Sequence, residues 1–376
     1  MATIEAYETS AGKRYMVRFR TPGGAQSKKR GFRTKRDATE FASTVEVAMR
    51  RGEYVAPSAG RTNFGGLAEA WFKTKVNLAA STRSRYRQAL DCYVLPTFAD
   101  KEIGQITPEA VRLWVADLDS KVAGHTVRKA VTILRQILDV AVEDKLLVSN
   151  PAVLKKASLP KVTEKPRRFL TAPQLHRLAD GAEGERRLLI LLLGYSGLRF
   201  GEAAALRVED VNVLRGRLNV HASVTEAAGV LVWSNTKSGK GREVPLVPDL
   251  MALLAKHIEG KAPKDLVFPD RNGGPLRSRN VAQRWWVKAV AQAADAGVPG
   301  DLVLHELRHT AASLAISAGA RIKTIQRMLG HQDASLTLNR YGHLMEDELD
   351  EVSAKLSGTW TDGCAQNVPT TLRLVQ

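Results

Sequence analysis

Cysteine is almost missing from the 376 residues: Cys92 and Cys364 lie far apart and outside any CxxC or metal-ligand spacing. That excludes a disulfide framework and a cysteine-built metal site, and both are read as free thiols. Aromatic residues are only 6%, and acidic side chains are the minority, 39 against 56 basic, leaving a formal charge of +17. A surplus of that size points to a large polyanion as partner, with DNA, RNA and an anionic membrane surface all open at this stage. The most apolar run, Leu188 to Leu193 with its neighbours, falls well short of the roughly 20 residues that cross a bilayer. The opening Met1-Ala2-Thr3-Ile4-Glu5 lacks the basic-then-apolar pattern of a secretion signal, so the expected location is the cytoplasm. There is no GxxxxGK[ST] loop of the kind that cradles nucleotide phosphates.

What is present is enough for two or three cores: 376 residues, of which 44% are hydrophobic. Tyr15, Val17 and Phe19 alternate with Arg14, Arg18 and Arg20, which predicts a strand with one apolar and one basic face. Thr21-Pro22-Gly23-Gly24 turns the chain, Lys28, Lys29, Arg30 and Arg33 follow, and Thr34-Lys35-Arg36-Asp37 is a capping pattern for a helix running to about Arg50. Residues 1–57 therefore read as a three-stranded β-plus-helix module whose basic face can enter a DNA groove or, alternatively, protect an exposed edge strand.

From residue 60 to 155 the periodicity is helical. Leu67 and Trp71 are spaced i,i+4; Tyr86, Leu90 and Val94 repeat after a Ser81 cap; Thr107-Pro108 starts a third helix; Val127, Val131, Leu134 and Leu138 stripe a fourth. Arg83, Arg85 and Arg128 lie at its polar positions, where phosphate contact and ordinary solvation look alike in sequence. Residues 156–168, with Pro160 and Pro166 among basic residues, read as a linker. Residues 169–358 are mainly helical with one β region. In it Leu218 to His221 is strand-like, and Val230 to Trp233 and Glu243 to Leu246 are expected to form a hairpin around a Gly- and Lys-rich turn. The tail, 359–376, shows no period. The fold class is mostly α with small β elements.

Breaking a phosphodiester without water needs a nucleophile, cations around the phosphate, and an acid for the leaving oxygen. Residues 169–358 offer each. Gly197-Leu198-Arg199-Phe200-Gly201-Glu202 places a guanidinium at a helix start, where phosphate is welcome. His305-Glu306-Leu307-Arg308-His309 has two readings. As HExxH it is a zinc-hydrolase signature with His305 and His309 as ligands; as a phosphoryl-transfer motif it sets His305 and Arg308 on one helix face. The charge of +17 and the lack of an obvious third ligand weigh against zinc. Leu329-Gly330-His331 closes a helix, and Tyr341-Gly342-His343 follows ten positions after His331. A phenol has a pKa of about 10 and needs cations beside it to become a nucleophile.

These four segments, in this order, resemble the motifs of the tyrosine recombinase family, specifically phage integrases with an N-terminal arm-binding domain. Ser196-Gly197-Leu198-Arg199 with Glu202 is similar to the family's first arginine box. His305 to His309 resembles its HxLRH box, Leu329-Gly330-His331 its LGH box, and Tyr341-Gly342-His343 its nucleophile motif. Asn150-Pro151-Ala152 resembles the end of the family's core-binding domain.

The resemblance implies a site-specific recombinase that joins the attachment sites of a mobile element and a bacterial host, and excises the element again, with no cofactor, neither ATP nor metal. Tyr341 would join the 3′ phosphate and release a 5′ hydroxyl, Arg199 and Arg308 would hold the non-bridging oxygens, His331 would add a hydrogen bond, and His305 would help move the phenol proton. Glu202 and His309 would support them. A hairpin lysine would protonate the leaving oxygen, with Lys237 the first candidate and Lys240 the second.

It further implies arm-type binding by residues 1–57, core-site binding by residues 60–155 and catalysis by residues 169–358. A homotetramer on DNA is implied as well, with an excision factor and a host DNA-bending protein as partners and no membrane partner, at work on the bacterial nucleoid. The competing expectation is a DNA-binding relative of recombinases without strand exchange.

Overall fold

The alternation around Val17 produces the central strand of a small antiparallel sheet, described here from a computed structural model that covers residues 2–10, 12–56, 58–162, 168–235, 241–331, 333–342 and 356. β1 (Thr3–Thr9), β2 (Gly12–Arg20) and β3 (Gln26–Phe32) lie in the order β1-β2-β3. Helix α1 (Lys35–Arg50) begins where the Thr34 hydroxyl accepts the Asp37 N–H at 3.1 Å. It covers one sheet face, burying Val17 and Phe19 against Ala38, Ala42 and Val45. Register decides which basic residues stay on the open face: Arg18 pairs with Lys28 and Met16 with Arg30, whereas Lys29 pairs with the inward-facing Val17.

A second core belongs to the helical segment. It is built by α2 (Phe64–Thr74), α3 (Ala80–Ala89), a π-helical turn at Leu90–Val94, the short α4 (Leu95–Phe98), α5 (Pro108–Asp119) and α6 (Gly124–Glu143). Trp71, Leu90, Val94, Trp114, Val127, Val131, Leu134 and Leu138 all face into it. Thr107 caps α5 by accepting the Ala110 N–H, with Pro108 in the first turn. The expected Ser81 cap is one residue inside its helix: α3 starts at Ala80 behind Ala79, which makes no side-chain capping bond. Asn150 ends the segment, its side-chain N–H groups donating to Arg135 O and Asp139 and its carbonyl accepting the Ala152 N–H.

The chain divides into two compact units between Glu164 and Lys165. In the second, α7 (Ala172–Asp180) packs on α8 (Glu185–Ser196), whose residues from Leu188 to Leu193 are all buried. After α9 (Phe200–Ala205) come two small antiparallel sheets. One has β4 (Val211–Asn212), β5 (Arg217–Val220) and β8 (Arg242–Pro245) in the order β4-β5-β8, and the other pairs β6 (Ala222–Ala227) with β7 (Val230–Asn235). The expected hairpin between the Val230 and Glu243 strands is therefore not formed: β7 pairs with β6 and β8 with β5. The reason is a tight turn at Ala228-Gly229, with φ of +50° and +80°, whose twist suits a hairpin. Without the usual Asn-Gly signature it left no sequence signal.

Helices α10 (Pro248–Ile258), α11 (Ser278–Val281) and α12 (Val287–Gln292) follow, and then the three that carry the motifs: α13 (Glu306–Ser317), α14 (Ile322–Leu329) and α15 (Ala334–Tyr341). Among the described residues no helix is long and apolar enough to cross a membrane.

A candidate active site built on guanidiniums and a buried tyrosine

Helix α8 ends at Gly197, left-handed at φ +66°, and the chain turns directly into α9 with Arg199 at the cap position. Glu202, one turn on, bends back: its carboxylate accepts the Arg199 backbone N–H at 2.9 Å and Arg199 Nη1 at 2.8 Å. The same carboxylate takes a two-pronged bond from Arg242 at the start of β8, Nη1 at 3.1 Å and Nη2 at 2.7 Å. Arg242 Nε donates to Met328 O at 2.9 Å, on the last turn of α14. Arg242 was not a sequence candidate; beside a Gly- and Lys-rich turn it resembles any solvated cation.

Burial pushes the Glu202 carboxyl up, but the Arg242 hydrogen bonds and charge, followed by those of Arg199, outweigh it and hold the group below the ordinary glutamate value. A depressed acid stabilises the fold above its unfolded-state pKa and loses that contribution as pH falls through the folded value. Glu202→Gln is therefore expected to lower the melting temperature at neutral pH, with the gap to the unsubstituted protein closing below about pH 4. Thermal melts across pH check this; a gap independent of pH contradicts it.

Arg308, on the first turn of α13, is 3% exposed. Its Nη1 donates to Gly197 O at 2.7 Å and its Nη2 to Leu329 O at 2.6 Å, so one planar group joins the ends of α8 and α14. Burial, then the Arg199 charge, then that of Arg242 push its pKa down to about 9 against the opposing pull of Glu202 and Tyr341. Arg308 therefore keeps its charge at neutral pH. Two guanidiniums, Arg199 and Arg242, share the Glu202 carboxylate and a third, Arg308, lies within reach of its charge, a local excess of positive charge that a phosphate would neutralise. Gly197 is confined by this packing, because an added Cβ would lie 2.6 Å from Leu329 Cδ2. Gly197→Ala is expected to cost about 1–2 kcal/mol from the left-handed backbone alone and to slow DNA cleavage by displacing the carbonyl that holds Arg308. A urea midpoint equal to that of the unsubstituted protein contradicts this.

The histidines and the tyrosine complete the cluster. Tyr341, the last residue of α15, is fully buried, and its hydroxyl is 2.7 Å from Nδ1 of His309, itself 7% exposed. His305 stands exposed at the cap of α13, its ring edge-to-face with His309 at 5.5 Å between centroids. His331 Nδ1 lies 2.9 Å from the hydroxyl of Thr337, on the helix that carries Tyr341. The structure thus gathers Arg199, Glu202, Arg308, His309 and Tyr341 directly, with His305 beside His309 and His331 tied to α15. Lys237 and Lys240, with the rest of 236–240, lie outside the described residues, as does His343.

The HExxH alternative needs Glu306 facing a metal between His305 and His309. Instead Glu306 Oε1 accepts the Arg168 N–H and Oε2 the Val303 N–H, while His309 Nδ1 is bonded to Tyr341. Among the described residues no three His, Cys, Asp or Glu side chains are grouped as metal ligands.

The other basic candidates fall into two groups. Arg20, Lys28 and Arg30 are exposed and Arg14 half-buried, and Arg18 pairs with Glu5 at 3.2 Å. Lys29 packs its ammonium 4.4 Å over the Phe41 ring. Arg83 donates to Lys75 O at 2.9 Å and lies over Phe72, and Arg128 donates to Pro160 O at 2.9 Å, so both also brace their own unit. Arg85 is exposed, and after the effect of burial its charge lowers the pKa of Lys129, placing two cations close together.

Comparison with known proteins decides the family. The phage integrase family pattern matches residues 168–348, and the phage integrase central domain pattern matches residues 64–157. A prophage phiRv2 integrase of Mycobacterium tuberculosis is 30% identical over 336 residues, covering 87% of each chain. The chain belongs to the phage integrase family. It is accordingly a tyrosine-type recombinase, an enzyme that cuts and rejoins DNA. Its fold agrees with solved integrase structures. The Tn1549 transposon integrase, bound to transposon right end DNA, has a TM-score of 0.67 at 18% identity, over 79% of this chain and 99% of that one. A lambda integrase tetramer bound to a Holliday junction has a TM-score of 0.56 at 18% identity, over 88% and 96%.

Proposed function

We propose that this recombinase joins the attachment site of a mobile element to that of a bacterial host, and later excises the element, through a covalent 3′-phosphotyrosine at Tyr341. The observation that carries the reading is a buried guanidinium, Arg308, that lies close to Arg199 on one side and on the other to a tyrosine whose hydroxyl meets an imidazole at 2.7 Å. Arg199 and Arg308 hold the non-bridging oxygens and stabilise the charge that builds on them as the phosphorus is attacked. Tyr341 Oη forms the new bond to phosphorus while the bond to the 5′ oxygen breaks. The phenol proton leaves through the histidine pair, with His309 as first acceptor and exposed His305 as outlet, and His331 adds a hydrogen bond to the phosphate. Lys237, or Lys240 after it, returns a proton to the 5′ oxygen.

A fully buried hydroxyl cannot touch DNA. The cycle therefore includes a movement of α15 that brings Tyr341 to the phosphate once DNA is bound. Because the phosphotyrosyl bond keeps the energy of the bond it replaced, rejoining is the same step reversed. Residues 1–57 would grip arm-type sites with the open sheet face around Arg18 and Lys28, and residues 60–155 would hold the core site, with Arg85 on a phosphate. Assembly as a homotetramer on two duplexes fits the lambda integrase tetramer named above. An excision factor and a host DNA-bending protein would set direction, on nucleoid DNA in the cytoplasm.

The test is recombination in vitro between two plasmids carrying the junction sequences of the element, with chelator present and no nucleotide. Recombinant product under those conditions is the expected result. Site-bound protein that never exchanges strands would favour a DNA-binding relative without catalysis.

A further inference from the structure

One side chain that belongs to none of the motif segments links the first arginine motif to the helix end that carries Leu329-Gly330-His331. Arg242 uses both Nη atoms on Glu202, at 3.1 and 2.7 Å, and its Nε on Met328 O at 2.9 Å, and its side chain is 10% exposed. Through Glu202 it reaches Arg199, whose backbone N–H and Nη1 are held by the same carboxylate. Through Met328 it reaches the end of α14, where the next carbonyl, Leu329 O, holds Arg308 and where His331 follows two residues later. The turn is built close around it: a Cβ on Gly330, left-handed at φ +67°, would lie 3.0 Å from Arg242 Cδ and Nη1. Each Glu202 oxygen accepts one bond from Arg199 and one from Arg242, so the two arginines are held by the same carboxylate at both of its oxygens.

We propose that Arg242 is a positioning residue for the phosphate clamp, fixing Glu202 so that the guanidinium of Arg199 is presented to the scissile phosphate. The proposal rests on the recombinase reading. It requires the planar fork, since a lysine supplies a point charge and cannot make two parallel bonds to Glu202 while also bonding Met328 O.

The test measures single-turnover cleavage of a nicked core-site duplex bearing either a normal phosphodiester or a methylphosphonate at the scissile position. The neutral methylphosphonate has less charge for the clamp to meet. A residue that acts through Arg199 should matter less on it, whereas a general loss of folded protein slows both substrates equally. Arg242→Gln is expected to slow phosphodiester cleavage by about 100-fold and methylphosphonate cleavage by less than about tenfold, with Arg242→Lys intermediate.

Since Arg242→Gln leaves a buried carboxylate half-matched, the neutral pair Glu202→Gln with Arg242→Gln guards against simple unfolding. Adding Arg242→Gln to Glu202→Gln should cost no more than about threefold, because the two act as one unit. Equal slowing on both substrates, or losses that multiply in the double variant, overturns the proposal. If the unsubstituted protein forms no covalent adduct on either substrate, the recombinase reading itself fails and the proposal with it.

Discussion

Tyr341→Phe is expected to bind core-site DNA as tightly as the unsubstituted protein and to form no covalent adduct on a nicked duplex, a loss on the order of 10⁶-fold, below detection. Affinity for DNA is expected to be spread over many basic residues, and the phenol is buried in the resting protein. Its hydroxyl also hydrogen-bonds His309 Nδ1, so the substitution removes a hydrogen bond inside the core. That should cost about 1–3 kcal/mol of stability, a modest drop in melting temperature that leaves folded protein to assay. A denaturing gel of nicked substrate after incubation reads the adduct, and a shifted band in native gels reads binding. Adduct from the Phe variant would remove Tyr341 from the reaction.

Arg308→Lys is expected to keep the positive charge and lose the geometry. The guanidinium spans Gly197 O and Leu329 O with its two Nη atoms and still faces the cluster of Arg199, Glu202 and Tyr341. An ammonium satisfies one of those carbonyls and cannot offer two parallel donors to a phosphate. Single-turnover cleavage should fall by about 100- to 1,000-fold while DNA binding changes by less than about threefold. A variant that cleaves within tenfold of the unsubstituted protein would show that charge alone suffices at this position.

Much of the second unit was legible because its motifs are short, contiguous and each built by one helix end. Glu202 meeting Arg199 is an i,i+3 relation, and His305, Arg308 and His309 fall within the cap and first turn of α13, so spacing alone sets them near one another. The N-terminal module was legible for a similar reason, since period-two alternation in β2 and the Thr34 cap are local signals. What was hidden depends on contacts across long stretches of chain. Arg242 reaches Glu202 over 40 residues and Met328 over 86, and no periodicity encodes either. Tyr341 reaches His309 over 32 residues, so a histidine read as supporting turned out to hold the phenol. The face on which Lys29 lies required the β2–β3 register, which shifts at Tyr15/Met16 and so escapes simple counting. The β6–β7 pairing was masked by an Ala-Gly turn in place of a stronger hairpin signal.

The measurement that bears most directly on the account is mass spectrometry of the adduct formed on a nicked core-site duplex, after digestion with a protease and a nuclease. The account predicts a single modified peptide with the nucleotide linked through its 3′ phosphate to Tyr341, and a free 5′ hydroxyl on the released strand. Linkage at any other residue, or through a 5′ phosphate, would contradict it.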